Sequence, residues 1–263
     1  MILSALGFGG LVYGLSNLGT AGGIASVSGW LPLAVGGLGL ALFILRQLDL
    51  QKRDRALLDL RTFRSRTFTF AIVMMAISMM ALFGTIILLP IYTQTVLGLS
   101  SLQAGLLLLP GGLLMGLLAP TVGRLYDRSG PTRLLITGST IVSAVFWSMT
   151  MLGANSSPWL VLAAHVTLSL GLALLFTPLF TASLAAVRPE LYSHGSAVVG
   201  TVQQLAGAVG TALFVTVMAS VAASSLATGA TDVAATATGI HAAFLCGAVI
   251  SLFAIPAAFF IRR

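Results

Sequence analysis

The chain has 263 residues, of which 57% are hydrophobic and only 7% are charged, and its mean hydropathy is +1.05. Soluble domains carry about a quarter charged residues. This chain has too few polar side chains to cover a surface in water, so its composition predicts a membrane protein with several spans. The single cysteine, Cys246, excludes an internal disulfide and a multi-cysteine metal site.

Eight apolar stretches are long enough to cross a bilayer, which takes roughly 20 residues per helix. In chain order they cover residues 1–18, 30–48, 67–91, 103–122, 132–152, 159–179, 196–222 and 240–261. These runs are unbroken, whereas the strands of a membrane barrel alternate apolar and polar residues. The sequence therefore predicts an all-α polytopic membrane protein with about eight transmembrane helices.

The basic residues separate the connections between these spans into two sides. With eight crossings, one side receives residues 46–66, 123–133 and 180–195 together with the C-terminus, and this side holds all 13 Lys and Arg residues. The positive-inside rule makes that side cytoplasmic, and both termini of the chain with it. The net charge of +7 is thus placed to meet the lipid surface, and we expect no nucleic-acid partner.

A charged tract from Arg46 to Phe68 divides the chain. Within and around the tract, Leu57, Leu60 and Phe63 recur at helical spacing, which is typical of an amphipathic helix lying on anionic headgroups. A plain connector that supplies topology charges explains the same pattern, and both interpretations stay open. The predicted units are a two-helix membrane hairpin (1–48), a basic cytoplasmic connector (49–66) and a six-helix bundle (67–263).

A cluster of charges and turn residues, GRLYDRSGPTR, interrupts two apolar runs. Its glycines, Gly123 and Gly130, permit a tight turn where two helices meet at the cytoplasmic face. Asp127 can lie near a helix N-terminus or pair with a neighbouring arginine, so the loop can latch helix ends together and release them. We take these three residues, with Arg128 and Arg133, as a candidate gating loop. A simple topology anchor is the alternative.

This loop resembles the repeated signature of the major facilitator superfamily, roughly G-x-L-x-D-R-x-G-R-[KR]. Gly123, Leu125, Asp127, Arg128 and Gly130 match it. Two positions that are usually basic hold Pro and Thr here, as in a weaker second copy of the signature. The chain is also similar, in order, to the fourteen-helix drug/proton antiporters of the QacA/EmrB type in ALGFGGLVYGLSNLG, ALLDLRTFRSRTF, LPIYTQTVLGLSSLQAGLLLLPGGLL and HGSAVVGTVQQLAGAVGTAL.

That resemblance implies the C-terminal portion of a proton-coupled multidrug efflux transporter in a bacterial inner membrane, working by alternating access. The first hairpin would correspond to the extra central helix pair and the six-helix bundle to the C-terminal domain. The implied partners are a hydrophobic small-molecule substrate, the lipid bilayer, and either the missing N-terminal half or a second membrane chain. We expect no cofactor, no metal and no enzymatic activity.

Two other functions remain open at this point. The chain could associate with a second copy as a half-transporter that gives passive flux. It could also be a non-transporting bundle that binds a partner half. All six acidic residues lie outside the predicted spans, so the sequence contains no obvious carboxylate to carry a coupling proton.

Polar residues inside the spans are the first candidates for the substrate path. His165 is the ionisable group deep in a span, and it could bind a proton or a polar substrate group, or hydrogen-bond a neighbouring helix. Gln203 and Gln204 are costly in lipid, so they should face protein or a water-filled cavity. They line the path or hold helices together.

Large apolar side chains and one proline complete the candidate site. Met79, Phe83 and Trp147 suit an adaptable hydrophobic pocket, although most such residues in a bundle face lipid or a neighbouring helix. Pro110, followed by two glycines, is a candidate helix break of the kind that lets transporter helices rock. Passive accommodation in the bundle explains the proline equally well.

Overall fold

Long helices make up most of the chain in the computed structural model, which describes residues 2–18, 27–52, 58–153 and 155–261. We number them α1 to α9 in chain order. They are α1 (Ile2–Leu18), α2 (Val27–Gln51), α3 (Arg66–Ile91), α4 (Ser101–Ser129), α5 (Pro131–Met149), α6 (Pro158–Ala185), α7 (Tyr192–Ala227), α8 (Asp232–Leu252) and α9 (Ala254–Ala258).

Six helical stretches in the described part are long and apolar enough to cross a membrane. They are Trp30–Gln51, Arg66–Val96, Ser101–Ser129, Pro158–Ala185, Pro189–Ala227 and Asp232–Ala258. The predicted all-helical, multi-pass membrane class is therefore confirmed. Neither α1, with 17 residues, nor α5, with 19, is among the six. The count of eight crossings and the division into three units stay predictions.

Glycines bring the helix backbones together where the helices cross. At Gly210 of α7, a Cβ atom would lie only 2.5 Å from Cα of Met80 on α3. At Gly36 of α2, a Cβ would clash with the backbone of Leu11 on α1. Contacts this close are the usual way to bind helices in lipid, where no hydrophobic force drives them together.

An aromatic cluster fills the centre of the bundle between α5, α7 and α8. The ring centroid of Phe146 lies 6.2 Å from that of Phe214 and 6.4 Å from that of Phe244, and all three side chains are buried. Tilted and edge-on pairs of this kind add to the packing energy beyond the area they bury. The three rings thus join α5, α7 and α8 through direct contacts.

The connector before α3 folds back onto the end of α2. The side-chain oxygen of Gln47 accepts a hydrogen bond from the Leu58 N–H at 3.2 Å, and that of Gln51 accepts from the Leu60 N–H at 3.1 Å. The described part of the connector then forms a five-residue 3₁₀ helix, Leu60–Arg64. These bonds satisfy backbone donors that a long amphipathic helix would have paired internally.

The amphipathic helix considered for this connector is therefore wrong over the described residues. Leu60 is half-buried and Phe63 is exposed, within a 3₁₀ turn too short to lie along a membrane surface. Leu57 lies outside the described residues. The reason is local: Asp59 caps the turn at its start and Ser65 starts α3 immediately after it.

Asp59 is a buried charged residue in the described part of the connector. Its carboxylate accepts hydrogen bonds from the Arg61 backbone N–H at 2.8 Å and from Arg61 Nε at 2.8 and 3.0 Å. Burial acts to raise the pKa of Asp59, but the hydrogen bonds and the positive charge of Arg61 outweigh burial and hold this pKa below its usual 3.8. The folded chain thus favours the ionised carboxylate.

Replacing Asp59 by Asn should lower the free energy of unfolding at pH 7 by about 1–2 kcal/mol, because it removes charged hydrogen bonds at a buried site. A lowered pKa gives stability that is complete above the unfolded-state value and is lost as pH falls through the folded-state value. The difference between wild type and Asp59→Asn should therefore shrink below about pH 4. Thermal unfolding of both proteins at pH 7 and pH 3 measures it, and an equal difference at both pH values would contradict the assignment.

Candidate functional site

His165 lies about two turns after the start of α6, where this helix packs against α4. Its Nε2 atom is 3.1 Å from the backbone oxygen of Leu108. A carbonyl oxygen only accepts, so we assign the ring hydrogen to Nε2. Nδ1 is buried and has no hydrogen-bond partner among the described residues. It can therefore accept a proton or a donor group while the bond to Leu108 stays in place.

Two adjacent residues of α4, Pro110 and Gly111, shape the helix where it meets this ring. Gly111 faces it so closely that a Cβ there would lie 2.5 Å from Cδ2 and 2.6 Å from Nε2 of His165. Pro110 has no N–H, so α4 loses one backbone hydrogen bond directly before the contact. The helix nevertheless runs without interruption from Ser101 to Ser129. Pro110 was predicted to break its helix. In the structure α4 is continuous at this position, and the proline removes only one backbone hydrogen bond.

An apolar cavity of about 560 Å³ opens beside the same pair of helices. This volume lies within the range of small-molecule pockets. Leu162 of the cavity wall precedes His165 by about one turn of α6. The cavity and the ring therefore lie about one helical turn apart along the interface of α4 and α6, which we call the α4–α6 seam. The wall includes Leu106, Leu107 and Pro110 of α4, and Pro158, Trp159 and Leu162 of α6.

A second seam, between α3 and α7, holds three more of the predicted residues. Gln203 donates from Nε2 to the sulfur of Met75 at 3.7 Å. The ring of Phe83 lies against Gly207, where a Cβ would approach it to 3.0 Å. Met79 is half-buried and packs against the core. The structure thus brings Gln203, Phe83 and Met79 to one helix pair.

The remaining two residues of the predicted path lie elsewhere. Gln204 is exposed and lines a groove between α7 and α1. Trp147 is 40% exposed on α5, next to Phe146, whose ring occupies the core. Successive residues of a helix point about 100° apart, which explains why neighbours such as Gln203 and Gln204 face different helices. The predicted single path is therefore divided over several faces of the bundle.

The candidate gating loop is mostly helix. Helix α4 continues to Ser129, and α5 begins at Pro131, so Gly130 alone makes the connection. Its backbone has φ 75° and ψ 175°, a region open essentially only to glycine. Gly123 lies inside α4 with open space at its Cβ position, so the prediction that both glycines form the turn is wrong for Gly123.

The charged members of this segment are exposed. Asp127 and Arg128 lie in the last turns of α4, and Arg133 lies in the first turn of α5. A cation in the last turn of a helix is favoured by the helix dipole, which suits Arg128. Nearby, the Thr132 hydroxyl donates to the backbone oxygen of Ile261 at 2.7 Å and ties the start of α5 to the end of the described chain.

Sequence reasoning missed the contact between Gly111 and His165. The sequence marks position 111 only as part of a Pro-Gly-Gly run. The partner of that run depends on the register of α4 against α6, which is a tertiary property. Ser169, also 2.6 Å from a Cβ at Gly111, was missed for the same reason.

The described part of the chain thus combines helices long enough to cross a membrane, an apolar cavity, and polar side chains where helices pack together. The described residues contain no group of three or more His, Cys, Asp or Glu side chains placed to hold a metal ion. The family profile of the Major Facilitator Superfamily matches residues 2–211, and the chain belongs to this family.

Several relatives carry names that refer to drug resistance. The chain is 37% identical over 269 residues to the lincomycin resistance protein LmrB of Listeria monocytogenes and 36% identical over 270 residues to LmrB of Bacillus subtilis. Each comparison covers 100% of this chain and 56% of the relative. The chain thus spans little more than half the length of these relatives.

A solved structure shares the fold. It is a bacterial homologue of the human lysosomal transporter Spinster, in an inward-facing and occupied conformation. The TM-score is 0.60 at 17% sequence identity, and the match covers 98% of this chain and 66% of that chain. At this level of identity the likeness concerns the fold alone.

Gly111→Ala should disturb the seam between α4 and α6, because the added methyl group would overlap the His165 ring. We expect a loss of about 1–3 kcal/mol, the usual cost of overpacking a core. Gly112→Ala is the matched control, since nothing lies within 4 Å of a Cβ at that position. Thermal unfolding of the two purified variants measures the effect, and equal midpoints would show that the ring does not lie against Gly111.

Proposed function

We propose that this chain forms part of a drug efflux transporter that exports a hydrophobic small molecule by alternating access, driven by protons. The supporting observation is the seam of α4 and α6, where an apolar cavity of about 560 Å³ adjoins a histidine whose Nδ1 has no partner in the described structure. Lincomycin is the first compound to test, because relatives are named for resistance to it.

In this proposal, the cavity wall binds the drug and His165 carries the proton. The cavity wall of α4 and α6 binds the apolar body of the drug, which buries apolar surface without requiring hydrogen bonds. His165 takes up a proton at Nδ1 on one side of the membrane and gives it up on the other. Gln203, Phe83 and Met79 lie outside this cavity, at the α3–α7 seam, and are proposed as a separate part of the substrate path.

The exposed surface of α4 is the basis for proposing a further component of the transporter. Only 11% of its most apolar segment is buried, compared with 50% for α3. Its exposed leucines recur every three or four residues and form one stripe: Leu102, Leu106, Leu109, Leu113 and Leu117. Because the relatives are nearly twice as long, we propose that their additional half, or a second membrane chain, covers this stripe.

The Gly130 turn is proposed to lie at the cytoplasmic face of the inner membrane, as the distribution of basic residues predicts. There the exposed Asp127, Arg128 and Arg133 are positioned to contact the covering half, and their contacts would exchange as the halves rock. The domain division also belongs to this proposal: a hairpin (1–48), a connector (49–66) and a six-helix bundle (67–263).

His165→Gln should abolish the part of lincomycin transport that depends on a pH gradient, because glutamine keeps a hydrogen-bond donor but does not titrate. Uptake into inverted vesicles containing this chain, with and without an imposed gradient, measures the effect. Gly112→Ala, which changes the next residue of α4 where a Cβ meets no atom within 4 Å, is the control and should transport as wild type does.

The other outcomes separate the competing functions. Gradient-dependent transport that is unchanged in His165→Gln would remove His165 as the coupling site. Flux that ignores the gradient in the wild type would favour a self-associating half-transporter. Absence of flux together with co-purification of another membrane chain would favour a non-transporting bundle.

A further inference from the structure

Helices α1 and α2 form a hairpin whose two members are in close backbone contact. At Gly36 of α2, a Cβ atom would clash with the backbone of Leu11 on α1. At Gly10 of α1, it would lie 2.9 Å from Cα of Gly36, and at Gly7 it would lie 2.8 Å from the backbone nitrogen of Leu40. Close backbone packing is what holds helices together in lipid. The hairpin is therefore one rigid unit.

The contact of this hairpin with the rest of the chain is loose by comparison. Helix α1 lies beside α7, but a groove of about 470 Å³ remains between them. At Gly200, on the α7 wall of the groove, a Cβ atom would meet nothing within 4 Å. On the α1 wall, Val12 remains 39% exposed. Because close packing is missing here, little free energy opposes the separation of α1 from α7.

One end of the hairpin is held by hydrogen bonds. Gln47 lies about one turn before the end of α2 and is only 2% exposed, and its side-chain oxygen accepts the Leu58 N–H at 3.2 Å. Gln51, the last residue of α2, accepts the Leu60 N–H at 3.1 Å. Both donors belong to the connector. These bonds therefore tie the end of α2 to the segment before α3.

The connector is in turn fixed to α3 and to the core. Leu58 packs against the core, and Thr62 is buried. Ser65 caps the first turn of α3, and the Thr69 hydroxyl of α3 donates to the backbone oxygen of Phe63 at 3.1 Å. The described part of the connector, residues 58–65, therefore moves together with α3.

We propose that the hairpin swings as one rigid unit about a pivot at Gln47 and Gln51, and that this motion opens and closes the groove between α1 and α7. A rigid body that is tied at one end and loosely packed along its length moves as a hinged element. In the closed position α1 covers the α7 face that includes Ala197 and Leu205, and in the open position this face is uncovered.

This motion goes beyond the proposed export function, since it requires neither a substrate nor a proton gradient. Its test measures distances within the chain. The swinging hairpin can therefore fail while the transport proposal stands, and the reverse.

Distances between pairs of nitroxide labels, measured by pulsed electron paramagnetic resonance, test the pivot. The full chain carries Cys246→Ser and two cysteines that bear the labels, in lipid nanodiscs without substrate. The labelled positions are all exposed: Leu31 and Ser220 as the far pair, Leu48 and Ser193 as the near pair, and Tyr13 and Leu45 as the internal pair of the hairpin.

The lengths along α2 set the expected result. At 1.5 Å per residue, Leu31 lies about 30 Å from Gln51, whereas Leu48 lies about 4.5 Å from it. A rotation of about 10° about Gln51 thus moves Leu31 by about 5 Å and Leu48 by about 1 Å. We expect a broad distance distribution for the far pair and narrow distributions for the near and internal pairs.

Substitutions in α2 assign the motion to the pivot. Gln47→Leu combined with Gln51→Leu removes both acceptors, so the distribution of the near pair should broaden as well. Asp49→Asn, an exposed change on the same turn, is the matched control and should leave all three distributions unchanged. If the double variant does not fold, the comparison of the three pairs in the parent chain still decides the question.

Three results would overturn the proposal. A far pair as narrow as the internal pair would show that the hairpin is docked rigidly on α7. A broad internal pair would show that α1 and α2 move separately. A near pair that stays narrow in the folded double variant would show that the two glutamines do not hold this end of the hairpin.

Discussion

Backbone contact at glycine is the interaction on which the rest of this structure depends. Moving an apolar side chain from lipid to a helix interface gains little free energy, because lipid tails are apolar too. Helices in a membrane therefore associate by close packing and a few hydrogen bonds. The crossing of α3 and α7 at Gly210 and Met80 is an example: a Cβ atom would lie 2.5 Å from the opposing backbone. This crossing fixes the rotation of α7. It turns Gln203 towards α3 and leaves Gln204 facing α1.

The same principle operates at the α4–α6 seam, with a different result. There Gly111 admits the His165 ring in place of a backbone, and the ring bonds to Leu108 of the opposite helix. The contact joins a titratable group to the edge of an apolar cavity. Most of α4 remains exposed, in contrast to the well-buried α3. The described chain therefore combines a closed crossing at α3–α7 with a helix, α4, whose apolar surface is largely exposed.

Composition and apolar run length predicted the helical, multi-pass class and the approximate positions of the helices, because a bilayer imposes both. The loop signature around Asp127 likewise led to the correct superfamily. The sequence did not place the site residues. Adjacent glutamines look like one feature in a sequence, yet a helix separates them by about 100°. Gly123 and Gly130 look equivalent, but only Gly130 adopts a positive φ. The contact of Gly111 with His165 depends on how two helices align, which no local pattern encodes.

The most direct measurement is thermal unfolding of Gly210→Ala beside Gly200→Ala, with both proteins purified in the same lipid. The two positions lie on the same helix, and alanine improves helix propensity at each. The account predicts that Gly210→Ala loses stability by about 1–3 kcal/mol, because its methyl group must push α7 away from α3. It predicts that Gly200→Ala is as stable as the wild type or slightly more so. Equal stability of the two variants would contradict the claim that backbone contact at glycine organises the bundle.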